Sequence, residues 1–168
     1  MIVKQVLSVA LGVALAVPGW VALAQHNHDA AAPTQAATST GHAVSADHRV
    51  AVTFPADLRT HTLANMRDHL LALQEIQAAL ASGKFELAAD IAEQQLGMSS
   101  LTAHGAHEVA RYMPLGMQQA GSAMHRSASR FSTAALDAGV TNDIKPALAA
   151  LAEVTGSCVA CHAGYRLQ

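Results

Sequence analysis

Leu63, Met66, Leu70, Leu73, Ile76 and Leu80 recur three or four residues apart, the spacing that lines up one face of an α-helix. Pro55 stands where a helix begins without losing a hydrogen bond, and Ser82-Gly83 supplies a stop. Downstream, KFELAADIAEQQLG reads as a second, shorter helix with Phe85, Leu87, Ala88 and Ile91 inward and Gly97 as its end. Residues 98–113 are less regular, with room for a short helix in HEVARYM. Pro114 opens a third helix, in which Met117, Met124 and Phe131 fall seven apart; Ala120, Ala128 and Ala135 fill the other inward positions, and Gly139 ends it. Asn142 or Asp143 caps a fourth helix, with Pro146 in its first turn. Its inward stripe is Ile144, Leu148, Leu151, Val154, Cys158 and Cys161. Past Phe54 the chain is rich in Ala, Leu, Met, Gln and Glu, which favours helix. Four helices with mostly short connections predict an all-α fold, an antiparallel four-helix bundle over residues 53–168.

The start of the chain reads differently. Lys4 precedes the uncharged run VLSVALGVALAV, Pro18-Gly19 breaks it, and Ala22-Leu23-Ala24 supplies small residues at cleavage spacing. This predicts a secretory signal peptide over residues 1–24 and places the mature protein in the periplasm. The apolar run is shorter than the ~20 residues a membrane-spanning helix needs. Residues 25–52 are rich in Ala, Thr, Ser and His with no helical or strand period, and read as a flexible linker. His26, His28, His42 and His48 lie in it; scattered histidines of this kind serve solubility or, alternatively, hold a divalent metal. The chain has ten Lys and Arg against twelve Asp and Glu, and Lys4 leaves with the leader. With no basic stripe, nucleic acid is not an expected partner. No segment past residue 24 is expected to span a membrane.

The only two cysteines, Cys158 and Cys161, sit in GSCVACHAGYRLQ with His162 directly after the second. C-x-x-C-H is the attachment sequence of a c-type haem. Two thiols two residues apart reach the two vinyl groups of one porphyrin and form thioethers, and the next residue delivers an imidazole to the iron. Attachment takes place in the exported compartment, in agreement with the leader. A zinc site needs two further ligands at set spacing, with His104 and His107 the available donors. A thioredoxin-like pair belongs at a helix N-terminus, whereas this one lies near a helix C-terminus. One haem c is therefore the expected cofactor, with His162 as an axial ligand. Six residues follow His162, so a sixth ligand is expected from upstream.

CVACHAGYR on the last of four helices, behind a leader, resembles the cytochrome c′ (class II cytochrome c) family, with Tyr165 and Arg166 matching the family's ending. The match is specific only near the C-terminus; the first three helices agree in pattern and length. The resemblance implies a haem held between helices near one end of the bundle. It puts Tyr165 at the haem edge and Arg166 near His162 or a propionate, or else simply in solvent. It also implies that the first helix supplies what faces the iron opposite His162. A methionine there gives a six-coordinate electron carrier; an apolar side chain gives a five-coordinate iron open to NO or CO. Met66 stands roughly where the ligating methionine of the low-spin members stands, and is read as sixth ligand or as core, with Leu63 or Leu70 as the blocking residue in the second case. His69 is expected half-exposed or at the haem edge, with ligation as its alternative, and His125 exposed. Met113, Met117 and Met124 read as core; with His104 and His107 they are a weaker copper alternative. The third helix lacks the tryptophan often found near its start in the family, the only one being Trp20. Members often pair through their first two helices, and a homodimer is compatible with the apolar faces here. No nucleophile or acid–base pair stands out, so the expected work is not enzymatic. It is one-electron transfer with redox partner proteins.

Overall fold

The computed structural model describes residues 46–168. The expected leader, and the linker up to residue 45 with His26, His28 and His42, lie outside the described residues. The remainder is mostly helical. Helix α1, Ala56–Ala81, starts directly after Pro55 and stops at Ser82, whose backbone N–H reaches back to Ala78 and Ala79. Helix α2, Phe85–Ile91, loosens into a π-type turn, Ala92–Leu96, that ends at Gly97. A 3-10 turn, Met98–Ser100, then leads to α3, Ala106–Ala110, within the predicted HEVARYM segment. Helix α4, Leu115–Thr141, begins after Pro114 and runs two residues past the expected stop at Gly139. It ends at Asn142, which adopts the left-handed conformation (φ 57°) that asparagine tolerates better than most residues. In α5, Lys145–Gly164, the Lys145 N–H is held by the Asp143 carboxylate at 3.1 Å, as a capping side chain does.

Helix α4 is the centre of the packing: α5 lies along it, α2 packs on its other side, and α1 packs on α2. The core joins Ile76 and Leu80 of α1, Leu96, Met124 and Phe131, and Leu151 and Val154 of α5, with alanines between them. Phe131 is fully buried and the largest of these. Alanines at 72, 79, 88, 89, 92, 128, 135, 138 and 147 are all buried. They let the helix backbones approach closely, and so the small side chains take the innermost positions.

That preference corrects the inward stripes expected from the leucines. In α1 the buried residues are Thr62, His69, Ala72, Ile76, Ala79 and Leu80. Leu70 is 68 % exposed, and Leu63, Met66 and Leu73 are half-buried. Leu87 of α2 and Leu148 of α5, both expected inward, are exposed. Leu70, Leu87 and Leu148 flank the contacts instead of filling them.

A feature absent from the all-helical expectation joins the two ends of the described chain. Strand β1, Val50–Val52, pairs in parallel with β2, Tyr165–Leu167, in the register Val50 to Tyr165 and Val52 to Leu167. The expected 25–52 linker is therefore ordered over its last three residues. Because β1 precedes α1 and β2 follows α5, the pair pins the start of α1 beside the end of α5. A second small cluster, built on Val52, Phe54 and Val109 with Leu58, Met113, Met117, Tyr165 and Leu167 against it, packs under this clip.

Candidate functional site

Cys158 and Cys161 continue the stripe that Leu151 and Val154 begin, three and four residues apart on one face of α5. Cys158 packs against the core, both cysteines are half-buried, and they are not joined in a disulfide. Burial pushes both thiols above the ordinary thiol value. They are therefore protonated at neutral pH and lack the thiolate character of a redox-active pair. His162, one turn beyond Cys158, is exposed.

His162 shares a face with Thr155 and Val159, which lie seven and three residues before it. Those two line an open apolar groove of about 690 Å³ that Leu148, Leu151 and Ala152 continue along α5, with Gln77 of α1 on its far wall. Val159 is 64 % exposed there. On α1, Met66, Leu70 and Leu73 lie three, two and one helical turns before Gln77, on the same side of the helix. The leucine face of α1 is thus turned toward the motif-bearing helix, and α1 and α5 barely touch one another. The groove along α5 is open and apolar, and Gln77 is the one α1 residue that lines it.

Three histidines cluster in the fold, two of them more buried than patterning suggests. His69 is 7 % exposed and His125 8 %, against the expectation of a half-exposed and an exposed residue. His104 joins them from the loop before α3. The rings of His69 and His104 are 4.7 Å apart, those of His104 and His125 5.6 Å, and those of His69 and His125 6.0 Å. The Nδ1–H of His125 donates to the Leu96 carbonyl at 2.7 Å. The Ser100 hydroxyl donates to Gly97 O at 2.7 Å, and its oxygen lies 3.3 Å from His104 Nδ1 and 3.4 Å from His125 Nδ1. His104 Nδ1 is also 3.4 Å from His69 Nε2. The loop is fixed from below: the His104 carbonyl accepts from His61 Nε2 at 3.2 Å and from Asn65 Nδ2 at 3.1 Å. Gly105 turns the chain there with φ 60°, and a β-carbon would crowd the His61 ring at 3.3 Å.

Burial dominates the electrostatics of the cluster. It lowers the pKa of His69 to about 4, with His104, His125 and His162 adding repulsion. Burial also lowers His104 and His125. All three imidazoles are neutral at pH 7. That His162 is felt by His69 places the motif histidine and this cluster at the same end of the molecule.

Tyr165 and Arg166 follow the motif in β2. Tyr165 packs in the small cluster under the β-clip, its ring end against Gly116, where no side chain would fit. Arg166 sits in β2 with its Nε 3.3 Å from the Asp47 carboxylate, without a hydrogen bond. Asp47 is held well below the usual carboxylate range, first by its hydrogen bonds from Arg49. His48 is exposed, and so is His107, away from the three clustered rings.

Compared with known proteins, the chain matches no family model, no curated protein and no solved structure.

Proposed function

We propose that the chain is a periplasmic monohaem c-type cytochrome of the cytochrome c′ kind, an antiparallel four-helix bundle of α1, α2, α4 and α5 that carries single electrons between redox partner proteins. The observation that carries this reading is the position of C-x-x-C-H: it lies on α5, whose Leu148, Leu151, Thr155 and Val159 line an open apolar groove with Gln77 of α1, and the exposed Leu70 lies on the Gln77 side of α1. Exposed apolar side chains at this density cost hydration free energy, about 25 cal/mol per Å². A flat apolar macrocycle tethered at Cys158 and Cys161 covers them.

Haem c supplies the ferric/ferrous couple when bound. The chain supplies the rest. Cys158 and Cys161 each give a thiol for a thioether, and their protonated state suits addition across a vinyl group. His162, exposed and on the groove side of α5, gives an imidazole lone pair to the iron. Leu148, Val159 and Leu70 exclude water from the macrocycle and so tune its potential.

With haem bound, Met66 of α1, half-buried, would supply the sixth ligand. A second reading, a five-coordinate iron that binds NO or CO, draws on Leu63 and Leu70, which flank Met66 and would cover the iron on that side. Met66→Leu separates the two. If Met66 ligates, the variant converts from a low-spin to a high-spin ferric spectrum, and its ferrous form takes up CO that the parent excludes. An unchanged spectrum, already high-spin in the parent, removes Met66 from the iron and favours gas binding. A homodimer through α1 and α2 fits either reading.

A further inference from the structure

We propose that His69, His104 and His125 form a binding site for a divalent transition cation of imidazole preference, Zn²⁺ or Cu²⁺, in the bundle end next to the motif and independent of the haem reading.

Two buried imidazoles and a half-buried one, gathered together, call for an explanation. Nitrogen in a low-dielectric interior has to be hydrogen-bonded, and three such rings with no carboxylate hydrogen-bonded to any of them form a costly packing element. Their arrangement matches what a cation asks of neutral nitrogen donors. Tetrahedral zinc bonds nitrogen at about 2.0–2.1 Å, which sets the separation of two ligand nitrogens at about 3.3 Å. His69 Nε2 and His104 Nδ1 stand 3.4 Å apart, facing one another. The three ring centres, at 4.7, 5.6 and 6.0 Å, bracket the spacing of rings gathered round one ion.

The surrounding partners fit as well. A metal-ligating histidine donates its other N–H to a carbonyl or carboxylate, which fixes its tautomer and orientation. His125 already does this through Nδ1–H to Leu96 O at 2.7 Å, so its lone pair resides on Nε2. His104 sits on a backbone clamped by His61 and Asn65, and it is only half-buried, which gives an ion a way in. Ser100 Oγ, 3.3 Å from His104 Nδ1, stands at hand as a fourth, oxygen position.

Among the described residues no three His, Cys, Asp or Glu side chains stand ready around one cation position. His69 and His104 satisfy each other through the Nδ1–H of His104, and His125 donates to Leu96. Entry of the ion replaces the His69–His104 hydrogen bond: His104 moves its proton to Nε2, and both facing nitrogens then offer lone pairs. No proton is released and no electron moves. Because burial keeps all three rings neutral, they do not have to lose protons at pH 7 before binding.

The test uses the full chain, haem-loaded, treated with EDTA, desalted and titrated with Zn²⁺ by calorimetry, with bound metal counted by elemental analysis. Linker histidines contribute equally to every variant, so the comparison is between proteins. The expected result is one zinc equivalent in the parent that is lost, or weakened at least tenfold, in both His104→Gln and His125→Gln, and kept in His107→Gln. Circular dichroism must show the same helix content in each; if His125→Gln unfolds, the loop variant His104→Gln alone decides. Equal zinc stoichiometry and affinity in the parent and His104→Gln would overturn the site, and so would a parent that binds no zinc.

Discussion

Full-length protein produced with haem-maturation machinery will lose its covalent haem when Cys158 and Cys161 are both replaced by alanine. On a denaturing gel the haem stain should fall from one equivalent per chain to none, because a gel strips every haem held only by coordination. Single replacements should keep one thioether and so retain stain. The fold survives the change on packing grounds: both cysteines are half-buried, and the core around them rests on Leu151, Val154, Phe131 and Ile76. His162→Ala should behave differently from the double variant, with haem still attached but the spectrum of its iron altered. Covalent haem persisting in the double alanine variant would mean that attachment runs through some other chemistry. The account of Cys158 and Cys161 would then fail.

The second large effect is on stability. His69 is 7 % exposed and its pKa is lowered to about 4, first by burial and then by the neighbouring histidines. In the unfolded chain it titrates near 6.5. Between those values the unfolded state binds the extra proton, so stability is fully present above about pH 6.5 and is lost as pH falls toward 4. The loss attributable to His69 is about 3 kcal/mol between pH 7 and pH 4. His104 and His125, shifted in the same direction by burial, add to it. Against a typical domain stability of about 5–15 kcal/mol this is a large fraction. Urea unfolding in EDTA-containing buffer at half-unit pH intervals reads the slope directly. His69→Gln should be flatter through that window than the parent. An identical slope in the two would mean that His69 does not titrate differently on folding.

Much of the helical scheme was legible because punctuation is local chemistry. Pro55 and Pro114 stand immediately before α1 and α4, and Gly97 stands after the turn that follows α2. Asp143 holds the Lys145 N–H at the start of α5. The faces were harder to read. A hydrophobic period treats Leu70 as inward and His69 as outward, yet Leu70 is 68 % exposed and His69 7 %. What decides the matter is shape and pairing. Alanines at 72 and 79 let α1 approach its neighbours, and a histidine with a nitrogen partner on another segment, His104, is satisfied inside. A sequence pattern carries no record of partners 35 residues away, as His104 is from His69. The usable signal is the spacing of the small residues, which places His69 on the same face as Ala72 and Ile76, three and seven residues further on.

The motif was the most legible part of the site, since Cys158, Cys161 and His162 are neighbours in sequence. The β1–β2 clip was not. Three residues, Val50–Val52, are too few to show alternation, and their partner Tyr165–Leu167 directly follows a helix. Pairing between segments more than a hundred residues apart is a property of the fold as a whole. It also sets the surroundings of Tyr165 and Arg166, where Tyr165 packs with Val52 and Phe54 and Arg166 meets Asp47.

Intact mass spectrometry of the exported protein, produced with haem-maturation machinery, tests the central claim most directly. The account predicts a single species with the mass of the chain from Gln25 onward plus one haem, unchanged by acid or organic denaturation. A species with the bare mass of the chain, its two thiols free or joined to each other, would contradict it.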